Sequence, residues 1–246
     1  MAPIIRISDE DYQALRPLGF RPELVEEKPV EIITPASDFW AVPNIHYRGD
    51  TLTADLSKKL LPARTQQHHT EHRKSAQEGE FVTADMPFYF AMFYALFEQK
   101  DAFEYSGQAR NFIQRAIRQK FPITLTRIAY TPRGKDVVTN NYGTKDSYQT
   151  RANIVGPDRF IEKANNGALT AILGTGDIAR INQVFNWING TDLSIYRLKD
   201  KPQDLKEAVA RFVAYPDSAR VSCIRHHDDA GASLGVRVSA RSAQKK

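Results

Sequence analysis

Two histidine clusters carry the densest potential chemistry in this chain. His68-His69-Thr70-Glu71-His72 contains His-x-x-Glu-His. On a helix, His68 and His72 share a face one turn apart. There they can hold zinc while Glu71 activates a water. His226-His227-Asp228-Asp229 adds two imidazoles and two carboxylates. If His226 or Asp228 joins His68 and His72, the set becomes a divalent-metal site and the chain a metal-dependent hydrolase. The surroundings of the first cluster oppose this. Between residues 63 and 80 only Ala63 and Ala76 are apolar, so no face is offered to a core. A solvated polar stretch is the expectation, with no cofactor required and a divalent metal as the alternative.

Gly174-Thr175-Gly176-Asp177-Ile178-Ala179 matches Gly-x-Gly-x-x-Ala ahead of a helix. Such glycines can let a backbone approach a pyrophosphate. Asp177 would set a negative charge against that pyrophosphate, and residues 168–173 read as helix as readily as strand. A helix stop, a turn and an Asp177 cap account for the same residues. Cys223 alternates with Val221 and Arg225 in a predicted strand and reads as a buried structural thiol. No Gly-x-Ser-x-Gly elbow marks a serine nucleophile.

The strongest remaining signal is charge. Residues 110–163 hold eleven Lys and Arg against four Asp and Glu, a local net of +7, above the whole chain's +5. Tyr130, Tyr142 and Tyr148 lie among these cations. Clustered cations with interleaved rings suit a polyanion, whose phosphates meet the cations while its bases stack on the rings. Arg110, Arg115 and Arg118 form a stripe on a predicted helix. Arg133 and Lys135 sit at a turn, with Lys145 and Arg151 following. These seven are the expected phosphate contacts, and Tyr130 and Tyr142 the expected stacking groups. Arg127 shares a strand face with Ile123, Leu125 and Ala129, so it reads as a buried, paired arginine. The leading function is therefore a non-enzymatic module that binds nucleic acid or another polyanion. The metal-dependent hydrolase is one alternative, and an assembly component is another.

Composition sets the frame. Hydrophobic residues make up 41% and charged residues 26% of 246, ordinary globular usage, which argues against wholesale disorder. The single cysteine excludes an intrachain disulfide framework and a cysteine-built zinc site. The longest apolar run, residues 86–97, is too short for a membrane span. The N-terminus lacks the basic and apolar regions of a signal peptide. A soluble, cytoplasmic protein without a membrane partner is expected.

The elements that must position these groups follow from periodicity. A helix is expected over 8–18, extended chain over 20–43, a helical turn over 55–61, and an exposed loop or loosely held helix over 63–80. Asp85 caps a helix over 86–97 that is apolar all round and hence central. Ala109, Phe112, Ile113, Ala116 and Ile117 give 106–120 a core-facing stripe. Strands are expected over 123–130, 135–142 and 148–155, the first two joined by Thr131-Pro132-Arg133-Gly134. A helix over 177–189, a strand over 193–198 and a helix over 204–213 follow. Strands over 219–225 and 233–239 should close the chain as a hairpin, with a frayed tail at 241–246. The fold class is α+β: amphipathic helices packed on one or two small, mainly antiparallel sheets. Residues 1–80 read as an extended and helical N-terminal arm with a polar linker, and 81–246 as an α+β body.

Overall fold

Tyr47-Arg48-Gly49-Asp50 makes a two-residue connection between strands. Arg48 and Gly49 both have positive φ, 53° and 85°. That is the backbone of a two-residue hairpin turn whose twist matches its strands. It joins β1 (Phe39–Tyr47) to β2 (Asp50–Arg64), which pair antiparallel. In the computed structural model, which describes residues 37–243, β2 also pairs with β10 (Gly231–Ala243). Three strands thus form the smaller sheet, in the order β1-β2-β10. The expected helix over 8–18 and the extended chain before residue 37 lie outside the described residues.

The larger sheet has seven strands in the order β5-β4-β3-β8-β9-β7-β6 and curls into a half-barrel. They are β3 (Ile123–Tyr130), β4 (Asp136–Asn140), β5 (Tyr148–Ala152), β6 (Arg159–Phe160), β7 (Leu193–Tyr196), β8 (Lys206–Tyr215) and β9 (Ser218–Arg225). β7 pairs parallel with β9, and the other pairings are antiparallel. With five α-helices among the described residues, the fold class is α+β. Among the described residues, no helix is long and apolar enough to cross a membrane.

The central helix is α2 (Met86–Glu98), as its all-round apolar sequence requires. It packs against β1 and β3 and against three other helices, α3 (Ser106–Gln119), α4 (Asn166–Leu173) and α5 (Ile178–Asn189). Phe93 lies 5.3 Å from Phe212 of β8 between ring centroids, and Phe212 lies 5.8 Å from Phe185 of α5. This aromatic cluster joins helix layer to sheet, each ring contributing about 1.5–3 kcal/mol through burial. α3 turns Ala109, Ile113, Ala116 and Ile117 inward. Asp177 caps α5 by accepting from Arg180 N–H at 3.1 Å, and Gly190 ends it at φ 79°.

Four local expectations are corrected. Residues 204–213 are strand β8, not helix. Ala208, Val209, Ala210, Phe212, Val213 and Ala214 are all buried, because the strand is covered on both faces. A continuous apolar run fits helix and two-sided strand alike, so periodicity misleads there. Residues 55–61 belong to β2, where Asp55 is buried against Arg237 at 2.6 Å. β9 and β10 do not pair with each other. Their connection, His226 to Ala230, crosses from the larger sheet to the smaller, because β2 offers β10 a longer partner. Residues 37–80, assigned above to an arm, supply two strands and helix α1 (Gln66–Ser75) to the same compact unit as the rest.

α1 also corrects the expectation that its segment has no face for a core. Gln66, His69 and Thr70 are buried, and each is held by hydrogen bonds. Gln66 donates to Thr124 O at 3.0 Å and accepts from Arg127 Nε at 2.8 Å. Thr70 donates to Tyr142 O at 3.1 Å. His69 Nε2 lies 3.0 Å from Gly231 O, which can only accept, so Nε2 carries the proton. Nδ1 then accepts from the Thr83 hydroxyl at 2.8 Å. Burial holds the His69 pKa below its ordinary value. The folded state therefore binds fewer protons at His69 than the unfolded chain does. Its contribution to stability is complete above about pH 6.5 and is lost as pH falls through the lowered folded value. Denaturant titrations from neutral to mildly acidic pH should show wild type losing stability across that window. The loss should be smaller in His69→Gln.

Candidate functional site

The β1–β2 turn overhangs a cleft of about 770 Å³. Its floor is apolar, built by Pro87, Phe90, Ala91 and Ala95 of α2 with Leu173 of α4. Polar groups converge on it from separate elements. Arg48 comes from the turn, Tyr148 from β5, Tyr94 from α2 and Arg180 from the start of α5. The Arg48 guanidinium lies over the Tyr148 ring at 4.4 Å. That of Arg180 lies over the Tyr94 ring at 4.6 Å. Each stack holds a planar cation beside an aromatic face. His46 and Glu98 add polar lining.

Arg48 reaches this place through an unfavourable backbone. A positive φ on an arginine costs about 1–2 kcal/mol. Asparagine or aspartate is the usual residue there. The Arg48 side chain is further fixed by donating from Nη1 to Asp146 O at 3.2 Å. Asn44, also at positive φ (58°), forms part of the bulge in β1 and lines the same cleft.

Behind the turn lies a buried polar chain. Asp85 is fully buried at the N-terminus of α2, accepting from Phe88 N–H at 2.9 Å through Oδ1. Its Oδ2 accepts from the Tyr47 hydroxyl at 2.8 Å, and that hydroxyl accepts from Asn141 Nδ2 at 3.0 Å. Burial pushes the Asp85 carboxyl pKa up, opposed by the Phe88 and Tyr47 hydrogen bonds and by Arg73 and Arg48. Burial, then the charge of Asp85, pushes Tyr47 up as well. The same two causes raise Tyr148 to about 12. These tyrosines are neutral hydrogen-bonding groups at physiological pH. Tyr47 and Arg48 also line a second, polar cavity of about 290 Å³ with Arg73, Asn141 and Asp146.

The chain matches no protein-family model, no curated protein and no solved structure.

The sequence candidates are scattered over this fold. Arg118 ties α3 to α5, donating from Nε to Asn189 Oδ1 at 2.7 Å. Arg110 is half-buried and donates to Asn111 Oδ1, whereas Arg115 is exposed. α3 packs on β8, α5, α2 and β2, so its arginine stripe does not adjoin the β3–β4 turn as one packed unit. Tyr130 is corrected as a stacking group. Its side chain is fully buried, and its hydroxyl donates to Cys223 O at 2.8 Å. Tyr142 already has a partner, since the Arg127 guanidinium lies 3.6 Å above its ring. Arg127 is buried and paired with Glu207 at 3.2 Å, as its strand face implied. Arg133, Lys135, Lys145 and Arg151 are exposed. Of these, Lys145 lies in the β4–β5 loop that also supplies Asn141 and Asp146 to the second cavity.

The two histidine clusters approach but do not merge. Gln66 N–H donates to His227 O at 3.3 Å, so the 226–230 loop meets the start of α1. Among the described residues, the one group with metal-ligand spacing is His226, His227 and Asp228; His68 and His72 are not in it. His68 Nδ1 pairs with Thr65 Oγ1, and Glu71 accepts from Gln67. The glycine motif is a helix stop followed by a cap. Gly174 ends α4 at φ 77°, and Asp177 starts α5. Cys223 is buried with its thiol pushed up to about 12, which leaves it inert at neutral pH.

Sequence reading missed Arg48, Tyr47, Tyr94 and Arg180, and took Asp85 only as a cap. One signal was present. Arg48-Gly49 between two strand-like runs marks a tight hairpin, and an arginine there is out of place.

Proposed function

We propose that the protein binds an anionic ligand carrying a flat ring, a nucleotide or a nucleotide unit of a nucleic-acid strand, in the cleft beneath the β1–β2 turn. One observation carries the reading: two arginines stacked on tyrosines line one apolar-floored cleft. A stacked guanidinium keeps N–H groups on its edge for a phosphate, often two at once. Ring faces and the apolar floor accept a base by stacking, which tolerates any base. The cleft volume of about 770 Å³ falls within the usual range for small-molecule sites. The basic balance of the chain favours an anion, and exposed Lys145 is close in sequence to Tyr148.

Equilibrium binding of a labelled single-stranded oligonucleotide at low salt, with mononucleotides as competitors, tests this and separates the two sources. For a strand, Arg133→Glu with Lys135→Glu should weaken oligonucleotide binding and lower its salt slope by about one to two. For a free nucleotide, the same pair should leave mononucleotide binding unchanged. Binding of neither probe would end the proposal.

A further inference from the structure

We propose that His226, His227 and Asp228 bind one divalent transition-metal ion of the zinc, nickel or copper class, at a site separate from the cleft. Their ligand atoms all lie within 4.8 Å of one another. The two imidazoles stack, with ring centroids 4.6 Å apart and planes 22° from parallel. Nδ1 of His227 is 2.8 Å from Asp228 Oδ1, and Nδ1 of His226 is 3.8 Å from Asp228 Oδ2. Both Nδ1 atoms thus converge on one carboxylate. Tetrahedral ligands at ordinary zinc distances stand about 3.3 Å apart, between these two spacings. Small side-chain rotations would seat an ion. Nδ1 of His226 now accepts from Asp228 N–H at 3.3 Å, a contact that a bound ion would replace.

A carboxylate stands near the far nitrogen of the His227 ring. His227 Nε2 faces the Glu207 carboxylate at 3.9 Å, and Glu207 is held by Arg127 at 3.2 Å. A small shift on metal binding would let Nε2–H donate to this carboxylate, the contact that fixes a ligating imidazole and raises its basicity. The loop backbone is pinned as well. His227 O accepts from Gln66 N–H, and Ala230 O accepts from Arg225 Nη2 at 3.1 Å. Two nitrogens and one carboxylate favour zinc, nickel or copper over magnesium or calcium. Water completes the coordination, and the exposed His226 and Asp228 side chains leave an open approach.

Calorimetric titration of the full chain with zinc chloride and with nickel chloride at neutral pH tests the site, with magnesium chloride as control. One equivalent of zinc or nickel should bind, and magnesium should not. His227→Ala and Asp228→Ala should each weaken binding about tenfold or more. His68→Ala with His72→Ala should leave it unchanged. Glu207→Gln should weaken it about tenfold, with partial recovery in Glu207→Asp. Circular dichroism confirms that each variant is folded. Failure of zinc and nickel to saturate below about 100 µM would overturn the proposal. So would binding that survives His227→Ala and disappears in the His68/His72 double variant.

Discussion

Replacing Asp85 with alanine should destabilise the protein by about 3 kcal/mol, combining loss of a helix cap with two orphaned buried donors. The carboxylate accepts from Phe88 N–H at one oxygen and from the Tyr47 hydroxyl at the other. Alanine leaves both donors without a partner where no water replaces the carboxylate. Asp85→Asn should cost much less, because its carbonyl still caps α2. It should also change the pH profile. Burial raises the folded pKa of Asp85, so the folded state binds more protons there than the unfolded chain. Stability from this group falls as pH rises from about 3.9 to the raised folded value, and is level above it. Asp85→Asn removes that falling limb. Urea denaturation of wild type and both variants at several pH values measures each effect.

Arg48→Asn with Arg180→Ala should lower affinity for a nucleotide phosphate about a hundredfold, on the order of tenfold for each guanidinium. Asparagine is the better test at position 48, because it tolerates the positive φ and keeps the turn. The two side chains come from separate elements, each already held over its own tyrosine. Their effects should therefore add. Stability should change little, since exposed cation–ring contacts contribute about 0.5–1 kcal/mol each. Fluorescence-detected binding beside thermal melts separates lost contacts from lost fold.

Much of the local architecture was legible because local signals agree there. Asp85 before Met86-Pro87 announced α2, and the Asp177 cap and Gly190 stop bounded α5. The buried Arg127 followed from its strand face. Reading failed where partners lie far apart in sequence. β8 is buried on both faces, so its apolar run mimicked a helix. β10 pairs with β2 across most of the chain, which no local pattern reveals. α1 is buried through hydrogen bonds to Thr124, Arg127, Gly231 and Tyr142, and a hydrophobicity pattern cannot register those. The cleft gathers residues 44 to 180, so charge counting favoured the dense 110–163 block instead. That block contributes Tyr148 to the cleft, whereas its Tyr130 and Arg127 serve the interior.

Titration of the wild-type chain with adenosine monophosphate and with adenosine tests the central claim most directly, because the two ligands share a base and differ in the phosphate. The arginine pair predicts that the monophosphate binds at least about tenfold more tightly. It also predicts that the Arg48→Asn, Arg180→Ala variant loses most of that difference. Equal affinity for the two ligands, or binding of neither the monophosphate nor a single-stranded oligonucleotide, would contradict the assignment of the cleft as an anionic-ligand site.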